Sequence, residues 1–210
     1  MRLWSDSWPN GEAIPVRYAA GKRIGAGVGF SDNVSPHLAW LEVPAGARSL
    51  ALIIVDVDVP SRGDDVNKEG RVVPPELPRV DFYHLSLVDL PPDALPFAEG
   101  ALARGVTARG KPATAAPPGT RVGLNDYTSW FKGDPAMEGQ YFGYDGPCPP
   151  WNDSLVHHYH FRLFALDVAR CPVDGTFEGR DVSRAVKDHV LAAASFVGTY
   201  AIYDKAIEQR

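Results

Sequence analysis

Residues 49–60, SLALIIVDVDVP, constrain this chain more than any other stretch. Leu50–Val55 is an unbroken apolar run of Leu, Ala, Ile and Val that stops at two carboxylates and then at Pro60. A run this short, β-branched and fenced by proline suits a buried strand and is too brief for a core helix. Residues 79–91, RVDFYHLSLVDLP, repeat the pattern and end at Pro91 and Pro92. Residues 156–168, VHHYHFRLFALDV, supply a third strand rich in aromatic and β-branched residues. Between these runs the chain is punctuated by many of its 20 glycines and 19 prolines. That favours turns, and strands joined by long Pro-rich loops point to antiparallel sheets rather than a doubly wound parallel one.

The best helix candidate begins near residue 181, DVSRAVKDHVLAAASFVGTYAIYDKA, with Asp181 or Ser183 as cap. Val186, Val190, Leu191 and Ala194 then share a face and Gly198 ends the helix. Val197, Tyr200 and Ile202 can return to a strand. Residues 21–40 read as loop, and the GAGVG run at 25–29 is a weak phosphate fingerprint, because no strong strand precedes it and no helix pattern follows. No internal repeat or linker is visible, so 210 residues suit a single domain spanning 1–210.

Charge narrows the partners. A formal net charge of −5 without a basic run argues against nucleic acid and against an anionic membrane surface. The N-terminal stretch lacks the apolar core of a secretory signal, and no segment reaches the ~20 apolar residues of a transmembrane helix. Cytoplasmic residence is the expectation. Cys148 and Cys171 form no CxxC pair and read as two free thiols in a reducing compartment.

Several polar groups sit where a core is expected. Asp56 and Asp58, two apart in an extended strand, should share a face. They are either solvated at the strand end or a paired acid site. His84 should share a face with Phe82 and Ser86, opposite Tyr83 and Leu85. In the third strand, His157, Tyr159, Phe161 and Leu163 fall on one face; His158, His160, Arg162 and Phe164 fall on the other. His157 and Tyr159 are the plausible pocket pair. Nucleophilic chemistry is poorly served: prolines around Cys148 remove the N–H donors an oxyanion hole needs, and no GxSxG elbow exists. The carboxylates and histidines are suitable metal ligands by type, but their spacing places no two together locally, so no metal and no cofactor is expected.

Six stretches, in order, resemble the phosphatidylethanolamine-binding protein family, particularly its bacterial Raf-kinase-inhibitor-like members. They are IPVRY (14–18), NVSPHLAW (33–40), LALIIVDVDVP, DFYHLSLVDLP, GYDGPCPP with HHYHFRLFALD, and HVLAAASFVGTY (189–200), the last similar to the family's C-terminal helix and tail. The resemblance implies a mainly β fold, a large antiparallel sheet packed on a smaller one with a C-terminal helix. It also implies a small anion pocket for phosphate, phosphorylethanolamine or carboxylate groups. By position, Asp56, His84, Gly146, Pro147, His157 and Tyr159 would bind the ligand, with Asp58, Pro60, Tyr144 and Cys148 at the rim. This sequence departs from the family in having Val57 between its two aspartates, His158 in place of arginine, and Tyr83 directly before His84. Extra length at 60–80 and 100–140 implies longer loops over the mouth, where Trp130, Phe131, Tyr141 and Tyr144 would narrow the entrance or simply pack.

The expected function is a non-enzymatic binding module, with regulation as one of its roles. The alternatives are an inhibitor of a protease or kinase acting through surface loops, with a protein partner, and a hydrolase or isomerase using Asp56 and His84. Relatives of this kind include homodimers.

Overall fold

The computed structural model describes residues 1–25 and 27–203. In chain order the elements are β1 (Arg2–Trp4), β2 (Gly21–Ile24), β3 (Gly27–Phe30), β4 (Ala39–Leu41), β5 (Ser49–Pro60) and β6 (Arg79–Leu90). They continue with β7 (Gly110–Lys111), β8 (Arg121–Val122), α1 (Tyr127–Trp130), β9 (Gln140–Tyr141), β10 (His157–Leu166), α2 (Gly179–Ala185) and β11 (Val190–Tyr200). The main sheet has five strands in the order β11-β10-β5-β6-β8, antiparallel throughout. Three two-stranded sheets, β1-β4, β2-β3 and β7-β9, surround it.

The position of β5 explains its unbroken apolar run. It lies in the middle of the sheet, and both of its faces are covered. Leu50, Leu52 and Ile54 join a core that includes Leu3 and Trp40 from the β1-β4 ribbon and Phe161 and Phe196 from β10 and β11. Ala51, Ile53 and Val55 join a second core with Val182 of α2, Cys171 and Phe177. With apolar neighbours on both sides, alternation would be penalised, so every residue from Leu50 to Val55 is apolar and at most 1% exposed.

Two expectations are corrected. The predicted helix from residue 181 is only α2, after which Val190–Tyr200 is the edge strand β11; the part of the prediction beyond residue 203 lies outside the described residues. Alanine-rich sequence favours helix, yet ten residues of β11 pair in register with β10, burying Phe196 and Tyr200 against the core. Asp181 is not the N-cap but the third residue of α2, where its Oδ2 accepts from the N–H of the N-cap Glu178 at 3.0 Å as half of a capping box. Gly198 is no helix terminator; it is the close-approach point beneath Trp8 and Ile14. Likewise, residues 21–24 and 27–30, read as loop, pair as the β2-β3 hairpin; of the GAGVG run, residue 26 lies outside the described residues.

Candidate functional site

The site depends on two places where strand alternation breaks. Between β5 and β6, Ile54 faces Leu85 while Val55 faces Tyr83, which leaves His84 as an extra residue without a partner across the ladder. This bulge puts His84 toward the same side as Leu85, whose neighbours Leu52 and Ile54 belong to the first core. Ser86, opposite Ile53, turns to the other face. The expected grouping of His84 with Ser86 against Leu85 therefore does not hold. A second irregularity falls between Asp56 and Val59. It separates the two aspartates that regular alternation would align: Asp56 turns inward to His157, whereas Asp58 accepts from the N–H of His158 at 2.7 Å on the exposed side.

Beneath the site lies a closed ionic network. His157 Nδ1 is 2.7 Å from Asp56 Oδ2, and its Nε2 is 3.2 Å from Asp153 Oδ2. Carboxylates only accept, so both ring nitrogens must carry protons and His157 is an imidazolium. Burial alone would lower its pKa, but the Asp56 and Asp153 carboxylates outweigh that and raise it to about 9. Burial likewise works against ionisation of Asp56 and Asp153. The charge of His157 for Asp56, and the hydrogen bonds from His157 and Arg79 for Asp153, hold both pKa values below the ordinary carboxylate value. Arg79 closes the network with a forked contact to Asp153 at 2.5 and 3.2 Å. Two anions and two cations leave the formal charge beneath the cavity at zero.

Above this network is a cavity of about 120 Å3. Its polar floor is His84 and Tyr159, 2% and 1% exposed, with their rings edge to face at 5.3 Å. His84 Nδ1 donates to the Asp145 carbonyl at 2.8 Å, so Nε2 is left to the cavity. Burial, only partly offset by Asp56, pushes the His84 pKa below its usual value, and the ring is neutral when the cavity is empty. The Tyr159 hydroxyl makes no well-formed hydrogen bond but lies near the Asp56 carboxylate; burial and then the Asp56 charge keep it protonated. Phe82, Tyr127 and Trp130 supply aromatic wall, Pro149 and Pro150 a rigid one, and Val59, Pro60 and Val66 an aliphatic one, with Arg62 exposed at the mouth.

The Gly-Pro turn supports the floor from behind. The Asp145 carboxylate is gripped by Asn33, Asn125 and Lys111, each at 2.8 Å, which fixes the carbonyl that orients His84. Gly146 receives the Tyr127 hydroxyl on its carbonyl at 2.8 Å and packs so closely on the Tyr18 carbonyl that a side chain would collide. Pro147 accepts from the N–H groups of Ala20 and Gly21 through its carbonyl. Cys148 lies against Gly21 and is exposed.

Of the residues singled out from sequence, His84, Tyr159, Pro60 and Cys148 line the cavity. Asp56 and His157 lie directly beneath it, Gly146 and Pro147 brace it, and Asp58 faces away from it. Tyr144 is buried with its hydroxyl on the Tyr18 carbonyl, so it does not narrow the mouth. Trp130 does line the cavity, while Phe131 and Tyr141 line a neighbouring small hollow. Sequence reasoning missed Arg79, Tyr127, Asp145 and Asp153. Only Asp153 left a signal, four residues before His157. Among the described residues no cluster of three or more His, Cys, Asp or Glu is arranged to hold a metal, and no helix is long and apolar enough to cross a membrane.

Comparison with known proteins extends over the whole of this architecture. A UPF0098 protein of Methanothermobacter thermautotrophicus is 30% identical over 200 residues, covering 95% of this chain and 98% of the relative. The Escherichia coli K12 protein YbhB is 29% identical over 202 residues, covering 96% and 100%. The crystal structure of E. coli YbcL, described as a member of the mammalian PEBP family, shares the fold with a TM-score of 0.68 at 24% identity, covering 96% of this chain and 98% of that one. CT736 of Chlamydia trachomatis matches with a TM-score of 0.61 at 26% identity, covering 95% of each chain. Residues 4–201, which hold the five-stranded sheet, the ionic network and the cavity, match the sequence model of the phosphatidylethanolamine-binding proteins, and the chain belongs to that family.

Proposed function

We propose that the chain is a non-enzymatic binding module whose cavity receives the acidic end of a small molecule, a phosphate monoester or a carboxylate. The observation that carries this reading is the pair at the cavity floor: the His84 ring, whose Nδ1 alone is committed to a protein carbonyl, and Tyr159, whose hydroxyl has no well-formed hydrogen bond, over a network of cancelling charges. An anion there meets a hydroxyl donor and a ring that can take up a proton and donate, and charge-assisted bonds of that kind are the strong ones. Without His157 and Arg79, the Asp56 carboxylate would repel the same ligand. His157, with both nitrogens on carboxylates, supplies no base.

The two free thiols, Cys148 and Cys171, fit residence in a reducing compartment such as the cytoplasm. Regulation through a protein partner or a second copy of the chain would be a role additional to the cavity.

Calorimetric titration with methyl phosphate tests the reading. The expected result is one site per chain, with affinity lowered at least about tenfold by either His84→Ala or Tyr159→Phe. Unchanged affinity in both variants would overturn it.

A further inference from the structure

We infer that the cavity selects acids that carry a single aromatic ring, through a wall built from residues 61–66 and held in place by Asn152. This rests on the binding-module reading and adds the body of the ligand to its head.

The polar groups occupy the floor and, with Ser61 and Arg62, the mouth. Outward from His84 and Tyr159 the cavity is walled by Phe82, Tyr127, Trp130, Pro149, Pro150 and Val66. The rings of Phe82 and Tyr127 stand edge to face at 5.1 Å, and Phe82 lies 5.1 Å from the His84 ring. A bare phosphate or acetate ion seated on the floor would leave this apolar surface wet. The volume is about 120 Å3, and an apolar cavity of about 150 Å3 holds one benzene molecule. Because this cavity is open at its mouth, a single ring attached to the acid fills it, whereas a longer body would extend past Trp130 and Arg62 into solvent.

The wall at 61–66 is preset by one side chain. Asn152 is 1% exposed. Its Nδ2 donates to the carbonyls of Asp65, Lys68 and Arg71 at 2.8, 3.3 and 3.0 Å. Its Oδ1 accepts from the Asn67 N–H at 2.9 Å. The Trp151 N–H reaches the Asn67 side chain at 3.0 Å, and the Val73 N–H reaches the Asn152 carbonyl at 3.0 Å. A surface loop is thereby wound around a buried amide two residues after Pro150 of the proline wall. Val66 and the mouth residues Arg62 and Gly63 are carried by that loop and by nothing else in the site. Fixing such a wall before binding removes its ordering cost from the affinity.

Methyl phosphate and phenyl phosphate have the same head and differ in the body, so their affinities separate the two levels. The expected result is phenyl phosphate bound at least about tenfold more tightly than methyl phosphate, as burial of one ring supplies. Asn152→Ala should shrink that ratio several-fold while methyl phosphate affinity changes by less than about twofold. Val66→Ser, at a partly exposed position where folding is not at stake, should shrink the ratio in the same direction. Equal affinity of the unmodified protein for both compounds would overturn this inference and leave the binding-module reading intact. Failure of both compounds to bind would overturn both readings. A ring preference that survives undiminished in both variants would overturn the role given to Asn152 and the 61–66 wall.

Discussion

At the scale of single residues, His157 and His84 show how burial and neighbouring charge set two histidines on opposite courses. Burial pushes both toward the neutral form. His157 is reversed by two carboxylates on its two nitrogens, whereas His84 has a carbonyl on one nitrogen and the cavity on the other. Removing one partner of a buried ionic network strands the rest, so His157→Ala should cost about 3–5 kcal/mol in urea unfolding. The pH dependence follows from the direction of each shift. His157 has a folded pKa of about 9 against an ordinary 6.5, so its contribution is complete below 6.5 and is lost as pH rises through 9. Asp56 and Asp153, with pKa values lowered from 3.8, contribute above that value and lose their contribution as pH falls through their folded values. Stability measured by urea midpoint should therefore fall on both sides of a plateau near pH 4–6.5, with the alkaline fall missing in His157→Ala. For His84, whose pKa is lowered in the empty cavity, anion binding takes up a proton. Benzoate affinity should weaken from pH 5.5 to 8, and a flat profile would remove His84 from the floor of the ligand site. Alternation in the sequence was enough to put His157 and Tyr159 on one buried face of β10. It was blind to Asp153 and Arg79, because Arg79 lies 74 residues from Asp153 and only the fold closes that contact.

At the scale of elements, bulges and edge pairing decide what periodicity leaves open. Regular alternation in β5 and β6 would align Asp56 with Asp58 and His84 with Ser86; one extra residue in each strand redirects Asp58 and His84. The β11 segment gives a clear test of strand against helix. A Cβ at position 198 would lie 2.6 Å from the Trp8 indole nitrogen and 2.5 Å from Ile14 Cγ1. Gly198→Ala should therefore destabilise the protein by about 1–3 kcal/mol through overpacking. In a helix interior the same change would stabilise by up to about 1 kcal/mol. The sign of the shift in the urea midpoint distinguishes them.

At the scale of the whole molecule, the two cores share β5 as their common wall, and the N-terminal residues close on the C-terminal strand. The Ile14 N–H donates to the Thr199 carbonyl at 2.8 Å, and the Thr199 N–H donates to the Glu12 carbonyl at 2.9 Å. These contacts tie the ends of the described chain together, and the ionic network bridges β5, β6 and the segment before β10. If residues 1–210 form one domain, near-ultraviolet and far-ultraviolet signals should lose their structure in one coincident transition. Two separated transitions would show that the β1-β4 ribbon and the main sheet unfold as independent units.

The sequence by itself determined that the chain is mainly β, where three of its four long strands lie, and that His157 and Tyr159 share one face of a strand. Those conclusions follow from local physics: apolar runs, proline stops and two-residue alternation each act within a few residues. Only the tertiary structure decided that residues 190–200 are strand, because the hydrogen bonds that hold them come from β10 and outweigh local helix preference. It also decided which way His84 and Asp58 point, since a bulge is defined by the register of two strands and not by either one alone. The charge state of His157 belongs to the same class: it depends on Asp56 and Asp153 meeting around one ring, and on the desolvation that makes their attraction count.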